Sequence, residues 1–316
     1  MRCLVTGASG FLGSHLVRSL LEHKHEVTVL IRPLGAPERL RGCLDSVRVL
    51  YGSLEDLTGL DEGLRREPVD AAFHLAWSGV AGQFRNSTEV VRANVAGSLD
   101  VWEVLRKHGC TTVIGVGSQA EYGPKSTVLT EEMTTDPETV YGAAKLALCI
   151  LLRQLCRTAD MRFAWLRLFS AYGPDDDENH MVPTLIRTLL RGEKPALTAG
   201  EQIWDYLYVS DAAEALCAIL ESDAEGIFNL GSGNPCVLHE FIRQLRDRID
   251  PELPLGFGAL PYRHDQVMHL QADISRLSSV TGWRPKVESE EGIRLTVDWY
   301  RNSHKTAEIS HQGDTA

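Results

Sequence analysis

No two cysteines in the 316-residue chain are spaced as C-x-x-C. The seven that occur, Cys3, Cys43, Cys110, Cys149, Cys156, Cys217 and Cys236, are odd in number and lie mostly in apolar runs. This excludes a thiolate metal framework and predicts free thiols in a reducing compartment. A secretory leader pattern is also absent, so a cytoplasmic location is expected. No apolar stretch approaches the ~20 residues of a membrane-spanning helix, so no membrane partner is expected. The nearest, KLALCILLRQLC, is broken by Arg153 and reads as a buried helix. Basic charge is scarce too: 32 Lys and Arg stand against 43 Asp and Glu, for a net charge of −11. That excludes a general nucleic-acid binder, while leaving room for a local arginine pocket that takes one small anion. The histidines show no H-x-x-x-H spacing, so no metal site is expected. His74, inside an apolar run, reads as a core residue, and Asp175 to Glu178 read as a solvated loop.

With 43% hydrophobic residues the chain can bury one large core, or a large domain with a smaller partner. RCLVTG, EVTVLIR, VRVLYGS, AAFHLAW, TTVIGVGS and FAWLRLFS are short apolar runs, and amphipathic stretches separate most of them. The rhythm predicts an α/β fold, a Rossmann-type doubly wound parallel sheet with helices on both faces. After Tyr172 the polar segment GPDDDENHMVP changes the texture. We place a dinucleotide-binding domain at 1–172, with returning segments near 204–232. A smaller α/β substrate domain then covers mainly 173–301, and 302–316 reads as a polar, flexible tail.

The run TGASGFLG follows the first apolar segment and precedes the amphipathic stretch SHLVRSLLEH. Gly7 suits a tight turn, Gly10 close approach of a pyrophosphate, and Gly13 close helix packing, with the helix N-terminus facing the anion. Phe11 and Leu12 belong to the same loop. At the end of the second strand an acidic side chain would bond an adenosine 2′-hydroxyl, whereas an arginine accommodates a 2′-phosphate. Arg32 stands there, 19 residues after Gly13. NADP(H) is therefore favoured, with NAD(H) as the alternative; a solvated strand-end arginine is the structural alternative for Arg32. Arg39 and Arg41 are either helpers or bystanders.

Tyr141 and Lys145, in YGAAK, fall on one face of a helix. A free tyrosine is only about 0.1% ionised at pH 7, and a neighbouring ammonium lowers the cost of its phenolate. Ser118 ends the fifth strand, at the sheet edge where ligands of such folds bind, and can hydrogen-bond an oxygen as it becomes an alkoxide.

In sequence order, GASGFLG, HLAW, Asn94 in RANVAGS, GSQAEYG, YGAAK, LRLFSAYGP, WDYLYVSDAAEA, FNLGSG and GWRP resemble the extended short-chain dehydrogenases/reductases, the nucleotide-sugar epimerase/dehydratase family. The resemblance spans about Met1 to Tyr300. It implies a catalytic set of Ser118, Tyr141 and Lys145, with Asn94 close by in support of the lysine. It also implies that Leu54, Leu75, Ala76 and Phe169 line the cofactor groove, and that Arg263 clamps a substrate diphosphate. A homodimer formed by the helical stretches Val90–Leu105 and Tyr141–Cys156 is implied as well.

Departures from the family pattern narrow the expectation. The acid and base that dehydratases of the family carry after the Ser/Thr are replaced by Gln119 and Ala120, so that dehydration route lacks its parts. Ser170 stands for the usual asparagine and Trp204 for an arginine, in positions that the resemblance turns toward the substrate. Glu121 replaces an aliphatic residue and is read as structural or substrate-contacting. The pattern is most similar to reductases of nucleoside-diphosphate 4-keto-6-deoxyhexoses in deoxysugar biosynthesis. The alternatives are a 4-epimerase with retained NAD, a reductase of non-sugar carbonyls, and a non-catalytic dinucleotide-binding protein.

Overall fold

The structure is a computed structural model. It describes residues 1–33, 35, 37–79, 84, 86–263 and 266–313, with side chains as far as residue 303. Seven parallel strands form the central sheet. In chain order they are β1 (Arg2–Thr6), β2 (Glu26–Ile31), β3 (Arg48–Tyr51), β4 (Ala71–His74), β5 (Thr112–Ser118), β6 (Arg162–Leu168) and β10 (Gly226–Leu230). Their spatial order is β10-β6-β5-β4-β1-β2-β3. The chain order reverses between β1 and β4, the crevice where such sheets bind ligands. Val5 is in register with Val29 on one side and Phe73 on the other, so β1 is central and its apolar run is continuous.

Helices cover both faces. On one side α1 (Phe11–Glu22) and α6 (Val209–Glu221) bury Leu16, Leu20, Leu216 and Ile219 against the sheet. On the other side are α2 (Thr58–Arg66), α3 (Thr88–Lys107) and α4 (Val140–Thr158), which bury Leu60, Val101, Trp102, Leu148 and Leu152. The apolar run within KLALCILLRQLC is thus one face of α4, as its periodicity implies.

The C-terminal lobe contains β7 (Ser170–Tyr172), β8 (Ile203–Trp204), β9 (Tyr206–Tyr208), β11 (Cys236–Val237) and β12 (His269–Leu270). Its helices are α5 (Met181–Leu190), α7 (Leu238–Ile249), α8 (Ser275–Thr281) and α9 (Ser289–Gly313). Asp205, fully buried between β8 and β9, accepts hydrogen bonds from Ser232 N, Ser232 Oγ, Gly233 N and Ala272 N. One carboxylate thereby joins the loop after β10 to the segment after β12.

Two polar segments singled out in the sequence take the following form. The segment from Asn302, expected as a flexible tail, is helical through Gly313 as the continuation of α9. The helix is anchored by buried Ile293, Val297 and Tyr300, and no proline interrupts it. The acidic loop is not uniformly solvated either: Asp176 is buried and bonded to His180 Nδ1 at 2.8 Å.

Candidate active site

The glycine loop is built for close backbone contact. Gly7 has φ +71°, and a Cβ on it would lie 2.8 Å from the backbones of Leu75 and Ala76. A Cβ on Gly13 would lie 2.1 Å from Gly7 O, so the tight turn and helix packing account for both glycines. Gly10 differs, because a Cβ there meets nothing within 4 Å except Gly7 O at 3.1 Å. It is the N-cap of α1 and provides no side-chain cap, so the first N–H groups of the helix remain available to an anion. Phe11 is half-buried and Leu12 buried behind the loop, while Leu75 and Ala76 lie beneath it. Leu54 is half-buried and packs against the α3 and α4 side of the core. These residues fit a dinucleotide pyrophosphate.

Arg32, the first residue after β2, is exposed, and its side chain forms no hydrogen bond or ion pair with a described residue. Its two neighbours are engaged. Arg39 Nε donates to Asp175 O at 2.7 Å, and Arg41 pairs with Glu38 at 2.7 Å. Arg39 also donates to Ser9 O in the glycine loop at 3.5 Å, so both side chains are spent on protein partners and Arg32 remains as the strand-end cation.

Ser118 ends β5, and α4 carries Tyr141 and Lys145; all three are buried. Gly142 lets the helix and the strand end meet, since a Cβ there would fall 2.4 Å from Ala120 O. Thr139 caps α4 by accepting from Gly142 N at 3.0 Å, which fixes where the helix begins. Ser118 Oγ accepts from Ala120 N at 3.1 Å, so its own proton remains to be donated. Lys145 Nζ donates to Val116 O at 2.9 Å, two residues before Ser118. Burial pushes the Lys145 ammonium down to about 7, with Glu121 opposing. His74 bonds Thr6 and Ser98 inside the core, and burial, aided by the Lys145 charge, pushes it down to about 3.

Asn94 does not bond Lys145. Its amide accepts from Ser78 N at 2.8 Å and donates to Ser78 O at 2.9 Å and to Val90 O at 2.8 Å, so it secures the chain after β4. A buried asparagine in a helix satisfies its polar atoms with the nearest backbone, and here that backbone is Ser78.

The turn after β5 is held by Glu121, fully buried. Glu121 accepts from Ser118 N and Trp165 Nε1, both at 2.9 Å, and pairs with Arg167 at 2.8 Å. It is a structural residue that orients the backbone of Ser118. Tyr122 donates to Asn229 Oδ1 at 2.6 Å and lies under the Arg167 guanidinium at 4.4 Å, so it belongs to the framework. Gln119 and Ala120 are half-buried on the turn. Phe169 is buried with Tyr122, Leu129, Leu270 and Ala272, and the adjacent Ser170 is bonded to Trp204. Arg263 is exposed on the segment between α7 and β12. Sequence reasoning missed Arg167 and Trp77. An arginine inside the apolar strand FAWLRLF, one strand away from a glutamate just past the end of the apolar run TTVIGVGS, is a signal for a buried pair. Among the described residues no cluster of three metal-binding side chains occurs, and no helix is long and apolar enough to cross a membrane.

Fold and site together define a Rossmann-type enzyme of the short-chain dehydrogenase kind. The chain belongs to the NAD dependent epimerase/dehydratase family, whose model matches residues 3–231. It is similar to a dTDP-glucose 4,6-dehydratase of Mycobacterium tuberculosis, with 29% identity, covering 96% of this chain and 94% of that one. Among solved structures it resembles a UDP-N-acetylglucosamine 4-epimerase of Methanobrevibacter ruminantium in complex with UDP-N-acetylmuramic acid. That match has a TM-score of 0.87 and 27% identity, covering 96% of this chain and 98% of that one. A UDP-glucose 4-epimerase of Thermus thermophilus in complex with NAD matches with a TM-score of 0.84 and 28% identity, over 95% and 99% of the two chains.

Proposed function

We propose that the protein reduces the C4 ketone of a nucleoside-diphosphate 4-keto-6-deoxyhexose with NADPH. A bound nicotinamide dinucleotide would supply the hydride, held at the glycine loop and at Arg32. Tyr141 gives its proton to the forming alkoxide, and Ser118 donates a hydrogen bond to the same oxygen. The Lys145 ammonium stabilises the phenolate that Tyr141 becomes. Ser170, Trp204 and Arg263 are the substrate side of this reading, with the half-buried Gln119 and Ala120 on the turn.

The observation that carries net reduction is Arg32, exposed at the end of β2 while Arg39 and Arg41 are engaged with protein partners. A 2′-phosphate suits it, and a dissociable NADPH suits a reaction that consumes its cofactor. The Gln119 and Ala120 side chains supply neither acid nor base for dehydration.

A 4-epimerase is the second reading, favoured by 4-epimerases among the similar structures. The deciding experiment assays NADPH oxidation against a panel of nucleoside-diphosphate 4-keto-6-deoxy sugars and identifies the cofactor that purifies with the protein. Stoichiometric oxidation of NADPH supports reduction. Tightly held NAD with no net oxidation, together with interconversion of C4 epimers, replaces it with epimerisation.

A further inference from the structure

Just after β4 the chain places an indole against both ionisable members of the catalytic set. Lys145 Nζ lies 4.1 Å from the centre of the Trp77 ring. The Tyr141 ring meets the same indole edge-on, with centres 5.8 Å apart and planes at 87°. Trp77 is itself secured. It is half-buried against the core on the α3 and α4 side of the sheet, and Asn94 clamps the backbone one residue further on through Ser78.

We propose that Trp77 is a positioning residue for the Tyr141–Lys145 pair, with Asn94 acting behind it; this rests on the oxidoreductase reading above. A buried ammonium has lost its hydration and needs compensating contacts. Val116 O provides one, and the indole face provides a second through its quadrupole. The choice of group matters for the chemistry. A carboxylate in the same place would hold the lysine as firmly, but it would cancel the positive charge that favours the Tyr141 phenolate. An aromatic face attracts the cation and leaves its charge intact.

The other charged and titratable groups around the pair do not take over this task. Glu121, in the turn after β5, is paired with Arg167 on β6. His74 on β4 is bonded to Thr6 and Ser98.

The test compares Trp77→Leu with Trp77→Phe by ultraviolet difference titration of the tyrosinate, each read against its own Tyr141→Phe partner, in protein saturated with NADP⁺ or NAD⁺. Loss of a cation–π contact of this kind should raise the Tyr141 midpoint in Trp77→Leu by about one pH unit. Oxidation of the corresponding 4-hydroxy sugar by NADP⁺, in which Tyr141 is the base, should then fall about tenfold near neutrality, with the deficit narrowing as the pH rises. Trp77→Phe, which keeps an aromatic face, should recover most of the midpoint shift. If Trp77→Leu does not fold, Trp77→Met carries the same comparison. An unshifted midpoint, or an equal shift in Trp77→Phe, overturns the proposal. Because the titration uses no sugar, a shifted midpoint with no turnover on any 4-keto sugar would sink the proposed function and leave the role of Trp77 standing. Turnover on such a sugar with an unshifted midpoint would do the reverse.

Discussion

The indole N–H of Trp204 donates to Ser170 Oγ at 2.7 Å, tying β8 to the start of β7. These are the two positions at which the sequence departs from the arginine and asparagine usual in the family, and the bond makes them one unit. Trp204 also packs against the cluster of Phe169 and Tyr122, next to the turn that carries Ser118. Ser170→Ala should leave the indole N–H without a partner and cost about 1–3 kcal/mol in stability. Trp204→Phe should cost a similar amount, and the double variant clearly less than the sum, by about 0.5–3 kcal/mol of coupling. Denaturant titration of the four proteins measures this; additive costs would show that the two residues act independently.

Glu121 replaces an aliphatic residue and introduces a charge that the interior must neutralise. Glu121→Val should destabilise the protein by about 3–5 kcal/mol, since it strands the Arg167 guanidinium in the core. Arg167 Nη1 already lacks a hydrogen-bond partner among the described residues, so there is little to compensate the loss. Adding Arg167→Leu should recover most of the stability, because the pair removed together leaves no buried charge. Thermal melts of the single and double variants check this. Turnover should remain depressed in both, since Ser118 N loses its acceptor.

Much of the architecture is legible from local pattern. The six apolar runs are β1 to β6, and IFNLGSG contributes β10 to the same sheet, because strands buried on both faces need continuous apolar sequence. Ser118 at the end of β5 and Tyr141 with Lys145 on α4 follow from strand ends and helical spacing alone. What the sequence hides is pairing across distance. Nothing in RANVAGS says that Asn94 turns to Ser78 and away from Lys145. Nothing in HLAW says that the tryptophan meets residues more than sixty positions later. The buried Asp176 was hidden by its acidic neighbours, since composition does not reveal which of four polar residues faces inward.

Arg32 offers a cofactor prediction that is independent of the sugar. Arg32→Ala should raise the KM for NADPH roughly tenfold or more, as expected for loss of a charge-assisted contact of about 1.5–3 kcal/mol, and leave the KM for NADH nearly unchanged. Arg32→Asp should go further and reverse the preference, because a carboxylate repels a 2′-phosphate and accepts from a 2′-hydroxyl. Steady-state kinetics with both cofactors separate these outcomes. Equal effects on the two would assign Arg32 to a general electrostatic role.

Lys145 links catalysis to stability through its burial. The folded protein holds the ammonium down at about 7, while the unfolded chain keeps it near the ordinary value of about 10.4. Between these values the unfolded state binds the extra proton, so stability contributed by this group rises with pH from about 7 toward about 10. Below about 7 the full cost of keeping a charged lysine in the interior is present. Lys145→Met retains the buried chain and removes the charge. The cofactor-free variant should therefore melt above the wild type at pH 7, and the gap should close as the pH approaches about 10. The same substitution should lower turnover by about a hundredfold or more, since Tyr141 loses the cation that favours its phenolate. Melting curves across this range, set beside turnover, test the whole relationship. A variant that melts lower at pH 7 would mean that the contacts with Val116 O and the Trp77 face outweigh the burial of the charge.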